Sequence, residues 1–133
     1  MQFQFNDGGR KAAGFKGYTG DCVVRAIAIA TGIEYRTLYN RLSREMGKGE
    51  SPRNGVPKSV YNRFLSDLGW CWTPTMKIGQ GCTVHLNADE LPKGVVIVRL
   101  SRHIATVIDG VLHDNHDCTR DENRCVYGYW VKT

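Results

Sequence analysis

The sequence predicts an α+β fold in one domain, with helices first and a C-terminal antiparallel β-sheet packed against them. Between residues 22 and 69, apolar side chains recur at three- and four-residue spacing, the mark of helices with one buried face. From Trp70 onward the period shortens to two, as in strands. Asp109-Gly110, set between apolar flanks, is the strongest hairpin signal in the chain.

Residues 1–20 are polar and Gly-rich, and read as loop with one short strand. Residues 22–31 (CVVRAIAIAT) are apolar on nearly every side except Arg25 and suit a buried helix, with Asp21 placed to cap it and Gly32 to end it. A second helix is expected over about 34–46, with Tyr35, Leu38, Tyr39, Leu42 and Met46 on one face. Pro57 is expected to start a third, carrying Val60, Tyr61, Phe64, Leu65 and Leu68 inward, with Gly69 as its stop. Strands are expected over 70–73, 83–86, 94–100, 103–108, 111–116 and 125–131. The 133 residues show no repeat and are read as a single domain, 1–133, with a helical part at 22–69 and a sheet part at 70–133.

No run of about 20 apolar residues is present, so no membrane-spanning helix is expected. The first residues lack the pattern of a secretory signal. Net charge is +5, but the basic residues are dispersed, so nucleic-acid binding is not expected. The five cysteines (Cys22, Cys71, Cys82, Cys118, Cys125) are odd in number. With no signal, that points to a cytoplasmic protein whose thiols are core residues, metal ligands or nucleophiles.

A type I′ turn at Asp109-Gly110 pairs Ile108 with Val111, Val107 with Leu112, Thr106 with His113, Ala105 with Asp114 and His103 with His116. Alternation then puts His103 and Asp114 on one face as diagonal neighbours roughly 7 Å apart at the backbone. That separation lets a carboxylate hold an imidazole in one tautomer. Cys22 is placed at the first turn of the buried helix, where free N–H groups stabilise a thiolate and can hold an oxyanion. Asp21 beside it would raise the thiol pKa unless its carboxylate caps the helix. Arg25 is expected to snorkel or to pair, and an ion pair with Asp21 or Asp114 would help fix the site.

These features resemble the papain-like cysteine peptidase superfamily. The carriers are Gly20-Asp21-Cys22 opening an Ala-rich helix and a later hairpin with His103 on one strand and Asp114 on the next. The nearest resemblance is to compact bacterial forms such as the double-glycine peptidase domains of bacteriocin exporters. Arg102-His103, His113-Asp114 and the ending RCVYGYW also look like small proteins of phages and prophages. The resemblance implies a papain-like fold and a hydrolase of peptide, isopeptide or other amide bonds. Cys22 would be the nucleophile, His103 the base and Asp114 its orienting partner, with no cofactor, a peptide or protein substrate and a bacterial host cytoplasm as the setting. Papain-like enzymes carry a Gln about six residues before the Cys. Here Lys16 stands there, so Lys16, Tyr18 or Thr19 is expected to complete the oxyanion hole, with Asp21 in support.

Two readings compete. His113, His116, Cys118 and Cys125 could hold zinc in a binding module, although the hairpin register points His113 and His116 to opposite faces. Alternatively, the fold could serve a non-catalytic binding or inhibitory protein of phage origin. Tests that separate these are zinc content and the relative alkylation rate of Cys22.

Overall fold

The computed structural model describes residues 1–17 and 19–133, in an α+β arrangement of three helices and a six-stranded, mostly antiparallel sheet. The elements are β1 (Gln2–Phe5), α1 (Cys22–Thr31), α2 (Tyr35–Met46), a 3₁₀ turn (Pro52–Asn54), α3 (Lys58–Asp67), β2 (Trp70–Pro74), β3 (Val95–Leu100), β4 (His103–Ile108), β5 (Val111–Asp114) and β6 (Gly128–Lys132). All three helices fall where periodicity predicts them. Gly32 donates its N–H to Ala28 and ends α1, and Glu34 caps α2 through its carboxylate, which accepts from the Arg36 and Thr37 N–H groups. Among the described residues no helix is long and apolar enough to cross a membrane.

The sheet runs β1-β5-β4-β3-β6-β2. The expected hairpin is present. Asp109 and Gly110 take φ of 48° and 80°, as a type I′ turn requires. Ile108 pairs with Val111, Val107 with Leu112 and Thr106 with His113. The ladder between β4 and β5 stops there, so the expected Ala105–Asp114 and His103–His116 pairs are not formed. Asp114 is instead matched to Phe5, because β1 adds to the outer edge of β5 in parallel. That strand departs from the purely antiparallel expectation. Its connection to β5 crosses the whole helical part, and such a long connection permits either direction. The predicted 83–86 strand shrinks to one bridge, His85 with Cys125, and the last strand starts at Gly128 rather than 125.

Two apolar cores flank the sheet. On one side α1, α2 and α3 bury Val24, Ile27, Leu38, Leu42 and Leu65 against Ile97, Ile104 and Trp130. On the other, Leu86, Leu91, Val96, Val98, Ala105, Val107, Leu112 and Val126 pack beneath the long loops. Burying each of these Val, Leu and Ile side chains contributes about 1.5–3 kcal/mol. The helices therefore seat on the sheet by its Ile97 and Ile104 face, and the Thr106 hydroxyl donates to the Ala26 carbonyl of α1 at 2.7 Å. This seating sets the start of α1 beside the starts and ends of β4 and β5.

Two of the five cysteines, Cys82 and Cys125, form a disulfide with Cα atoms 5.8 Å apart. The bridge between His85 and Cys125 brings their two segments side by side. Cys22, Cys71 and Cys118 are free thiols. The expectation of a reducing compartment rested on unpaired thiols and loses that support.

Candidate active site

Cys22 is the first residue of α1 and is half-buried. Burial pushes its thiol pKa up. The His103 ring, the Ile104 backbone N–H and the Arg25 charge pull it further the other way, so the net direction is below the ordinary thiol value. Across the site, Tyr61 of α3 is pushed up to about 12 by burial and then by the Cys22 charge.

His103 begins β4, and its Nε2 lies 2.6 Å from Asp114 Oδ2. The sequence expectation that the two meet therefore holds. With Nε2 on the carboxylate, Nδ1 is the ring nitrogen left for the thiol. Burial opposes the imidazolium, but the hydrogen bonds with Asp114, Cys118 and Cys22 outweigh it and raise the His103 pKa to about 11. Asp114 is 3% exposed. Burial opposes its charge too, yet the His103 ring, the Asn115 N–H at 2.7 Å and the Arg25 guanidinium hold its carboxyl below the usual range. The directions agree: the fold favours a thiolate, an imidazolium and a carboxylate in one contiguous group.

Behind this group stands a buried ionic network. Arg25 of α1 is 5% exposed; its Nη2 is 3.5 Å from Asp114 Oδ1, and its Nη1 bonds Asp21. Asp21 is fully buried. Its Oδ2 accepts from the Tyr35 hydroxyl at 2.6 Å and from Arg10 Nη1 at 3.2 Å. Arg10 also donates to the Tyr35 oxygen at 2.7 Å and to the carbonyls of Lys16 and Gly17. Charges thus alternate from Arg10 through Asp21, Arg25, Asp114 and His103 to Cys22. A buried charge is tolerated where each neighbour has the opposite sign and the hydrogen bonds are filled.

Asp21 does not cap α1 with its side chain, contrary to expectation; only its carbonyl accepts, from the Arg25 N–H. The carboxylate is drawn instead to two guanidinium groups and a phenol, which neutralise it locally. These partners offset its charge beside the thiol.

Lys16 and Thr19 do not line the groove at Cys22. Lys16 forms the wall of a separate cavity of about 440 Å³ with Arg10 and Phe15. The Thr19 hydroxyl is buried and has no hydrogen-bond partner among the described residues. Tyr18, the other expected donor, lies outside the described residues.

The sequence does not mark Arg10 or Tyr35 as site residues, and it offers Cys118 only as a zinc ligand. For Arg10 the available signal is Gly8 (φ 70°): a Cβ there would meet the Arg25 carbonyl oxygen at 3.0 Å, so only glycine lets this loop lie on α1. Tyr35 reads as one more apolar face residue, and nothing in the sequence marks its hydroxyl. Cys118 Sγ sits 3.6 Å from Asp114 Oδ2.

The groove that opens on Cys22 and His103 has a volume of about 610 Å³. Asn54, Gly55 and Val56, in the segment between α2 and α3, form part of its wall, and no residue of 76–83 lines it. The zinc set is also not assembled. Cys125 is bonded to Cys82, His113 faces Asn6, His116 faces Asn115, and Cys118 faces Asp114. Among the described residues the group close enough to share a metal ion is His103, Asp114 and Cys118, with ligand atoms within 4.8 Å of one another. The Arg25 guanidinium on Asp114 opposes a cation there. Comparison with protein families, with curated proteins and with solved structures returns no match to this chain.

Proposed function

We propose that the chain is a papain-like cysteine hydrolase of peptide, isopeptide or related amide bonds. The observation that carries this is the His103 ring, held by Asp114 at one nitrogen and lowering the pKa of the Cys22 thiol at a helix start that opens on a groove. The order of helix-borne thiol, then strand-borne histidine, then acid on the next strand supports the papain-like assignment.

In this reading the Cys22 thiolate attacks the acyl carbonyl and forms a tetrahedral adduct. The free N–H groups at the start of α1 face the developing oxyanion. The His103 imidazolium gives its proton to the leaving nitrogen, the C–N bond breaks, and a thioester remains on Cys22. Neutral His103 then takes a proton from water, which attacks the thioester; the C–S bond breaks, the acid is released, and the Cys22 thiolate and His103 imidazolium are restored. Asp114 is a positioning residue throughout, fixing the tautomer and supporting the imidazolium.

Alkylation tests the reading. Iodoacetamide near neutral pH is expected to modify Cys22 well ahead of exposed Cys71, and His103→Ala is expected to abolish the difference. Equal labelling of Cys22 and Cys71 would instead favour a non-catalytic binding protein on this fold.

A further inference from the structure

We infer that the groove at Cys22 takes an acidic peptide segment, recognised by Lys58, Arg99 and Arg102. This deepens the hydrolase reading and rests on it for the nature of the scissile bond. Lys58 of α3, Arg99 of β3 and Arg102 of the turn after β3 converge on one groove with Tyr61, Tyr127 and Asn54, and among the described residues no carboxylate side chain lines it. Among the described residues none of the three is in an ion pair.

Two of the three stand where folding stability argues against them. Lys58 is the first residue of α3, at the positive end of the helix dipole, and no acidic residue occupies that first turn. Arg102 occupies the turn between β3 and β4 with φ of 56°, a region that disfavours a long side chain, directly before His103. Positions that break local rules without a structural gain are where function is expected. The third, Arg99, is held in place: its guanidinium lies 5.7 Å from the Trp72 ring centroid. Trp72 in turn packs over Gly128, where a Cβ would come within 2.3 Å of the indole. Three cations around a nucleophile, none in an ion pair among the described residues and one of them held against Trp72, select a chain of carboxylates. A peptide satisfies both the charge and the need for an acyl carbonyl.

The test uses the full chain carrying Cys22→Ala, so binding is read without chemistry. Fluorescence anisotropy compares a labelled Glu-rich decapeptide with its Gln counterpart. The Glu peptide is expected to bind about tenfold more tightly at low salt, with the preference shrinking as salt rises. The combined substitutions Lys58→Gln, Arg99→Gln and Arg102→Gln are expected to remove the preference, while Arg44→Gln on the exposed side of α2 retains it. If the triple variant misfolds, Arg102→Gly alone, which relieves the turn, is expected to lower the preference about two- to threefold. Equal binding of the two peptides, or a preference that survives these substitutions, overturns the inference. So does tighter binding of single-stranded RNA that the same substitutions abolish. Iodoacetamide labelling of the wild-type thiol reports on the hydrolase reading separately, so each can fail without the other.

Discussion

Arg25 joins the two buried carboxylates that flank the site: its Nη1 bonds Asp21 one turn back along α1, and its Nη2 lies 3.5 Å from Asp114 Oδ1 on β5. One side chain thereby ties the loop before the nucleophile to the strand that orients the base. Removing it would take a shared cation from two carboxylates buried away from water.

Arg25→Met is therefore expected to cost about 3–5 kcal/mol of stability, read by urea unfolding, because breaking a buried pair leaves its charges uncompensated. Arg25→Lys keeps the charge but cannot span both carboxylates, so it is expected to fall between wild type and Arg25→Met. If the methionine variant unfolds at the wild-type midpoint, the network is not holding the site together.

The titration shifts set a pH signature. The folded pKa of His103, about 11, lies above its ordinary value of 6.5. The stability this contributes is complete below pH 6.5, declines as pH rises above it, and is lost through about 11. The stability gap between wild type and His103→Gln should thus be widest near the acid end of that window and narrow steadily toward the alkaline end. For the thiol, whose pKa is lowered mainly by His103 against the opposing effect of burial, His103→Ala should move the alkylation midpoint upward. A midpoint that stays put would mean that the ring does not act on the sulfur.

Tyr35→Phe removes a hydroxyl that donates to Asp21 at 2.6 Å and accepts from Arg10 at 2.7 Å. Both partners stay buried, so the expected loss is about 1–3 kcal/mol by thermal or urea unfolding. The phenyl ring still packs with Phe15, whose centroid is 4.9 Å away, so the apolar contribution survives and isolates the polar one.

Reduction of Cys82–Cys125 opens a covalent link across 43 residues. From the chain entropy of a loop of that length, the expected loss is about 4 kcal/mol, visible as a lower melting temperature in dithiothreitol. Neither cysteine lines the groove. The alkylation rate of Cys22, measured after brief reduction of the folded protein and removal of the reductant, is expected to be unchanged.

The local sequence determined the three helices, the hairpin turn and the meeting of His103 with Asp114. Each follows from short-range rules, namely apolar spacing, a turn that fixes register, and side-chain alternation. It also named Arg25 and its two candidate partners, since a lone cation in an apolar helix needs an opposite charge nearby. What only the tertiary structure decided depends on segments far apart in the chain. The first strand adds in parallel to β5, Cys82 reaches Cys125, and Arg10 and Tyr35 close around Asp21 in place of a helix cap. Lys16 and Thr19, chosen by their distance from Cys22 along the chain, lie outside the groove because the Gly-rich loop folds back onto α1. Whether a carboxylate caps a helix or joins an ion pair is settled by which partners are buried beside it, and that is a property of the packed chain.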